Sequence, residues 1–177
     1  MTEPVIIIRP ALPGDAAALS ELSTTTFVDT YAAYNTAEDM QLYIDTYFTP
    51  QRITEEINSS TIQYFIAYIN NVPAGYIKMR TGENPPELSG IKNIEVERIY
   101  VLPTLKGMKI GKQLINHALL VARQQHYEVL WLGVWQENKN AIAFYNKMGF
   151  TIFGEHDFIL GTDVQKDWLM KITLSEV

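Results

Sequence analysis

The stretch Arg98–Leu119, RIYVLPTLKGMKIGKQLINHAL, constrains the fold of this chain more than any other. An apolar, β-rich run ends at Pro103. Gly107 and Gly111 follow, set among Lys106, Lys109 and Lys112, and a helical apolar spacing then begins. A helix start presents unpaired N–H groups and a partial positive charge, so it holds anions well. Gly107 can take a positive φ, and Gly111 lets a ligand or a neighbouring backbone come close. Several amides pointing outward in succession suit a pyrophosphate better than a single phosphate. Two familiar phosphate loops do not fit. In a P-loop the glycines stand further apart and Ser or Thr follows the lysine, whereas Gln113 follows Lys112. A dinucleotide fingerprint needs three glycines at a first strand.

The rest of the chain reads as strands and helices around that junction. PVIIIR, from about Pro4 to Arg9, reads as a first strand. A helix follows with Asp15 as its N-cap, and further helices are expected from about Thr36 to Phe48 and from Gln51 to Asn58. TIQYFIAYI and AGYIKMR read as strands joined by a hairpin turn at NNVP. TGENPPELSGIKN reads as a loop. IEVERIYV is the next strand, and strict alternation would put Glu95, Glu97, Ile99 and Val101 on one face. A helix is expected from Met108 to His126, then the strand EVLWLGV. The helix NKNAIAFYNKMGF ends at Gly149, and TIFGEHDFIL and VQKDWLMKITL close the chain as paired strands. Strand, glycine turn, helix and strand at the centre, with hairpins on the flanks, predict one mixed sheet with helices on its faces.

Bulk properties narrow the function. The chain has 177 residues, which suggests one domain over residues 1–177. The formal net charge of −6 argues against nucleic acid as a partner. No apolar run reaches the roughly 20 residues that cross a bilayer, and the N-terminal MTEPVIIIRP is too short and too acidic for a secretory signal. These features predict a cytoplasmic protein with no membrane partner. The absence of cysteine removes disulfides, thiolate metal sites and a cysteine nucleophile. His117, His126 and His156 follow no metal-ligand spacing, so no metal is expected.

A second motif joins the first. In VWQENKNAIAFYNKMGF, Asn138 precedes Tyr145 by two helical turns, on the face of Ala141, Phe144 and Met148. Taken together, the two stretches resemble the GNAT superfamily of acyl-CoA-dependent N-acetyltransferases. The family's pyrophosphate signature, Q/R-x-x-G-x-G/A, is met here as Lys106-Gly107-Met108-Lys109-Ile110-Gly111, with Lys106 in the first position and Lys109 in place of the middle glycine. Its second signature, N-x-x-A-x-x-x-Y-x-x-x-G-F, is matched in full from Asn138 to Phe150. STTTFVDTY, VERIYV, WLGVWQEN and NAIAFYNKMGF are similar, more narrowly, to bacterial PaiA-type spermidine/spermine N-acetyltransferases.

The resemblance implies a GNAT fold, with about seven mostly antiparallel strands in one mixed sheet and helices on both faces. It implies acetyl-CoA as co-substrate and a small amine as acceptor, with a polyamine such as spermidine or spermine favoured; a homodimer is compatible with it. Backbone groups of Ile99, Tyr100 and Val101 would pair with the pantetheine arm. Amides of Lys106, Gly107, Met108, Lys109, Ile110, Gly111 and Lys112 would hold the pyrophosphate. Asn138 would bind the cofactor arm, and Tyr145 would stand beside the sulfur as general acid. Without cysteine, direct transfer in a ternary complex is the simplest route. An alkylammonium, with a pKa of about 10.4, must first lose a proton; Glu97 is the first choice of base and Glu95 the second, and a bulge in their strand would decide which faces the cleft. For the acceptor wall, Asp29, Tyr31, Glu38, Asp39 and Trp135 are candidates, through charge and cation–π contact. Two rival readings are another acceptor (a protein N-terminus, an amino sugar or an antibiotic) and a non-catalytic acyl-CoA sensor, for which Lys109 in place of glycine speaks.

Overall fold

The turn at Asn70 and Asn71 shows how local chemistry sets register. Both residues take positive φ, 51° and 64°, as a two-residue hairpin turn requires. They join β2 (Ile62–Ile69) to β3 (Val72–Arg80), with Ile69 opposite Val72. The molecule, a computed structural model describing residues 4–174, is built on a seven-stranded sheet. The first three residues of the N-terminal run read for a leader lie outside the described residues. The other strands are β1 (Ile6–Pro10), β4 (Asn93–Val101), β5 (Val129–Trp135), β6 (Thr151–Leu160) and β7 (Asp163–Thr173), in the order β1-β2-β3-β4-β5-β7-β6. β4 and β5 run parallel and the remaining neighbours antiparallel.

Helices cover both faces. On one face α4 (Ile110–Gln124) lays Ile110, Leu114, Ala118 and Ala122 on Ile77, Met79, Ile94, Val96, Leu130 and Leu132. This apolar stripe at helical spacing is the one the sequence predicts. α5 (Lys139–Lys147) adds Tyr145, and Phe150 follows it into the same core. On the other face α1 (Ala16–Tyr31), α2 (Ala37–Tyr47) and α3 (Pro50–Ile57) pack Leu19, Leu22 and Ile53 against Tyr64, Ile66 and Tyr76, and Phe27, Met40 and Phe48 near Leu160. Thr36 and Thr49 cap α2 and α3, accepting from the N–H groups of Asp39 and Arg52 at 3.1 and 3.2 Å.

Three expectations are corrected. Asp15 precedes α1 but its side chain does not cap it. The carboxylate turns back to the Leu12 N–H at 2.7 Å and to Arg9 at 2.8 Å. α4 starts at Ile110 and ends at Gln124, shorter at both ends than expected, because Lys109 and His126 both take positive φ, 62° and 58°. Finally, the strict alternation in β4 breaks. Lys78 faces Arg98 and Met79 faces Val96, so Glu97 is an extra residue opposite no partner. After this bulge Ile99 and Val101 fall on the α4 face with Ile94 and Val96. Arg98 and Tyr100 fall on the α1 face, near Tyr43 and in the Tyr76 cluster.

Candidate active site

The parallel pair at the centre of the sheet holds together for only half its length. Asn93–Val96 pair with Val129–Leu132, and pairing stops there. Beyond that step β4 stays with β3, while Gly133–Trp135 stay with β7. The strands part, and a cavity of about 720 Å³ opens between them. It lies at the carboxyl ends of parallel strands, where α/β sheets commonly bind ligands. The β4 bulge falls at the same step. The cavity runs through the sheet, lined by Tyr145 from the α4–α5 side and by Tyr31, Glu95, His156 and Asp167 from the α1–α2 side.

On the α4–α5 side the walls are apolar and the polar groups belong to the backbone. Ile99 and Val101 pack there, and their strand edge toward β5 carries no ladder beyond Val96. Gly107 sits at φ +90° with open space where a Cβ would stand. Lys109 takes a left-handed conformation (φ 62°, ψ 14°) at the place of the motif's middle glycine, so the lysine keeps the turn a glycine would make. No side chain caps α4 among the described residues, and the first-turn amides of Ile110, Gly111 and Lys112 precede the first intrahelical bond, from Gln113 N–H to Lys109 C=O at 3.1 Å. A Cβ on Gly111 would meet only Phe144 at 3.7 Å and Val101 at 3.9 Å, ordinary contacts. Uncapped amides beside open glycines suit an anion such as pyrophosphate. Asn138 is the N-cap of α5, its Oδ1 accepting from Ala141 N–H at 3.2 Å. Tyr145 is buried on the next two turns and fixed from behind, where Phe150 N–H returns to its carbonyl at 3.0 Å. Burial pushes the Tyr145 hydroxyl well above the usual tyrosine value, so it stays protonated at neutral pH.

On the α1–α2 side the walls are charged. Arg80 Nε donates to Glu95 Oε2 at 2.5 Å, and burial nevertheless raises Glu95 above the usual carboxylate range. Glu97 meets Lys78 Nζ at 2.6 Å, Arg80 at 3.4 Å and Arg98 at 3.5 Å. Burial works to raise Glu97, but the combined attraction of Arg98, Lys78 and Arg80 outweighs it and holds the group below its ordinary value of 4.5. Lys78 also bonds Glu56 at 2.9 Å, so a buried ion cluster underlies this wall. Above it stand aromatic rings: Tyr31 beside Trp135 at 6.3 Å, and Tyr34 edge-on to Trp135 at 4.9 Å. Burial raises Tyr31 to about 12.

Of the residues read from the sequence, Glu95, Glu97, Ile99, Tyr100, Val101, Lys106, Asn138, Tyr145, Asp29, Tyr31 and Trp135 line this one cavity. Asp29 is bound to Lys106 at 2.7 Å, a bridge from α1 to the glycine turn. Glu38 is exposed on the first turn of α2 and does not line the cavity. Asp39 holds the β6–β7 turn, accepting from Thr162 N–H at 2.8 Å. Sequence reasoning missed Arg80, Arg98, His156 and Asp167. The last two were within reach. A two-residue turn at Gly161–Thr162 sets Leu160 opposite Asp163, and counting back sets His156 opposite Asp167.

The same stretches carry the chain's likeness to known proteins. Residues 21–150 match the model of the acetyltransferase (GNAT) family. An uncharacterized N-acetyltransferase in the pepI 3' region of Lactobacillus delbrueckii subsp. lactis is 35% identical over 153 residues, 86% of this chain and 88% of the relative. Among solved structures, the PaiA N-acetyltransferase of Thermoplasma acidophilum in complex with coenzyme A superposes with a TM-score of 0.79 at 22% identity, covering 96% of this chain and 99% of that one. The yncA structure of Salmonella typhimurium with its cofactor acetyl-CoA gives 0.67 at 21%, covering 98% and 96%. The structural likenesses establish the mixed α/β architecture, and the family match establishes that the chain belongs to the acetyltransferase (GNAT) family and is an acyltransferase.

Proposed function

We propose that this chain, as a single catalytic domain over residues 1–177, moves the acetyl group of acetyl-CoA to a primary amine by direct transfer in a ternary complex, and that the amine is a polyamine such as spermidine or spermine. The observation that carries the reading is the passage through the sheet. One mouth offers the unladdered edge of β4 at Ile99–Val101 and a protonated tyrosine; the other offers carboxylates and aromatic rings.

Acetyl-CoA supplies an activated thioester when bound. The residues at the first mouth fit it. The uncapped start of α4, with Gly107 exposed and Gly111 half-buried, suits a diphosphate. The unpaired edge of β4 at Ile99–Val101 suits an extended arm that bonds as a strand would. The coenzyme A and acetyl-CoA of the two solved relatives support the same partner here. Tyr145 gives its proton to the departing sulfur, and an amide near Val101 polarises the acetyl carbonyl.

The acceptor side favours a long cation. Asp29, Glu95, Glu97 and Asp167 line the main cavity. A second cavity of about 320 Å³ adjoins it, with Arg80 and His156 lining both, and adds Glu83, Glu87 and Glu155. Carboxylates spread over two adjoining cavities match an amine with several separated charges better than a compact one. Trp135 and Tyr31 add ring faces for the chain between charges. Because Glu97 lies among three cations that hold it ionised, its role and that of Glu95 is to set the field that draws in the amine. The test is coenzyme A release with spermidine and spermine against a peptide N-terminus and an amino sugar. Turnover highest with the polyamines is expected. Turnover with another amine alone removes the polyamine, and acetyl-CoA binding with no turnover of any amine leaves the sensor.

A further inference from the structure

His156 on β6 and Asp167 on β7 are direct cross-strand partners at the fork between β4 and β5. Asp167 Oδ2 lies 3.6 Å from His156 Nε2. Asp167 is only 8% exposed, and its Oδ1 is buried with no hydrogen-bond partner among the described residues. A buried carboxylate oxygen left without a donor is costly, and the neighbouring imidazole is the cation that can offset it. Gly133 sits directly beneath the pair. A Cβ there would come within 3.2 Å of both Asp167 Oδ2 and His156 Nε2. Gly133 is also the first β5 residue beyond the last pairing with β4. The pair therefore stands where β5 leaves β4, on the amine side, in space that any side chain at position 133 would fill.

Glu97 is poorly disposed to take a proton, and Glu95 is already engaged. Glu97 is held by three cations and Glu95 by Arg80 at 2.5 Å. We propose that His156 is the proton acceptor for the substrate amine and that Asp167 orients it. With Nε2–H turned to Asp167, Nδ1 is free to take the proton. The ammonium gives one proton to His156, which passes it to water. The freed lone pair bonds to the acetyl carbon as the carbon–sulfur bond breaks. The second amine proton replaces the one Tyr145 gives to sulfur. Products are the N-acetyl amine, the thiol and one released proton, so the step balances. This inference rests on the amine-acceptor reading above.

The groups facing His156 fix the sign of its pH dependence. Asp167 raises its pKa by hydrogen bonding, burial opposes this, Glu95 raises it and Arg80 lowers it. Asp157, next in its own strand, is paired to Lys166 at 2.8 Å, and Glu83 and Glu87 line the adjoining cavity. The base works when neutral, so kcat falls as pH drops through the His156 pKa, and that limb lies above the ordinary value of 6.5.

The test measures kcat against pH with saturating acetyl-CoA and spermidine, or the best amine of the screen. His156→Gln is expected to lower kcat about 100-fold and abolish the acid limb. Asp167→Asn is expected to keep the limb but move it to lower pH. Histidine proton NMR on the free protein gives a readout independent of turnover. The resonance lost in His156→Gln is expected to titrate above 6.5 in the wild type and lower in Asp167→Asn. His156 is exposed at the surface of its strand, so its variant folds; melting temperatures check this, and the His156 arm stands even if Asp167→Asn is unstable. A His156→Gln enzyme within threefold of wild type, with the limb unchanged, overturns the proposal while leaving amine transfer intact. Wild-type protein that binds acetyl-CoA and turns over no amine overturns both.

Discussion

The two mouths of the passage differ in how they are assembled. The α4–α5 mouth is lined from two short segments, Ile99–Lys106 and Asn138–Tyr145, and the uncapped backbone amides of α4 follow the first of them in sequence. The α1–α2 mouth comes from five distant places: Asp29, Arg80, Glu95, His156 and Asp167 sit on five different elements, and its polar groups are side chains. A site made of backbone is set by turn geometry and tolerates side-chain change. A site made of side chains depends on each residue and on the register of every strand beneath it. That contrast explains how one architecture can keep its donor and exchange its acceptor.

The difference can be broken or sharpened by substitution. Glu97→Gln strikes the side-chain mouth hardest. It leaves Lys78, 3% exposed along its side chain, one carboxylate short, and a loss of about 3 kcal/mol in unfolding free energy is expected. The native Glu97 pKa lies below its unfolded value, so the stabilisation is full above pH 4.5 and is lost as pH falls through the native value. Denaturant melts at pH 7 and pH 3 check this; an equal deficit at both would detach the loss from the charge. Tyr145→Phe comes next. Turnover is expected to fall about 100-fold with acetyl-CoA affinity unchanged; calorimetry beside steady-state rates separates the two, and an intact rate removes the general-acid role. Gly111→Asp acts on the backbone mouth. The new Cβ fits, so the fold should hold, while the carboxylate opposes the diphosphate and weakens acetyl-CoA binding about tenfold; equal affinity would put the diphosphate elsewhere. Gly107→Ala is the mildest. It has room but must keep φ near +90°, which costs about 1 kcal/mol of stability with no direct effect on the amine side.

How much was legible in advance follows the same division. The strands, the hairpin at Asn70–Asn71 and the apolar stripe of α4 could be read because each is a local pattern of period two or 3.6. The resemblance carried by Lys106–Gly111 and Asn138–Phe150 was legible for another reason, because each motif is a short continuous run of the sequence. The charged wall was not. Arg80 reaches the cavity only because β3 lies beside β4, and Glu97 faces its three cations only because β4 bulges there. Glu38 was misjudged as wall because α2 turns that residue to solvent and spends its neighbour Asp39 on the β6–β7 turn. Lys109 offers a subtler lesson. The lysine at a glycine position did not alter the turn, since φ 62° and ψ 14° lie in the small left-handed basin that non-glycine residues can enter at a cost.

The extra residue in β4 enters at the step where that strand leaves β5, so phase and partner change together. Were the strand to run on regularly with Glu97 kept in the ladder, every later side chain would trade sides. Ile99 and Val101 would turn toward charge, and Arg98 and Tyr100 into oil. The bulge, rather than the plain alternation of the strand, therefore decides which way each side chain beyond it points, and it does so with a residue whose own carboxylate is held by three cations.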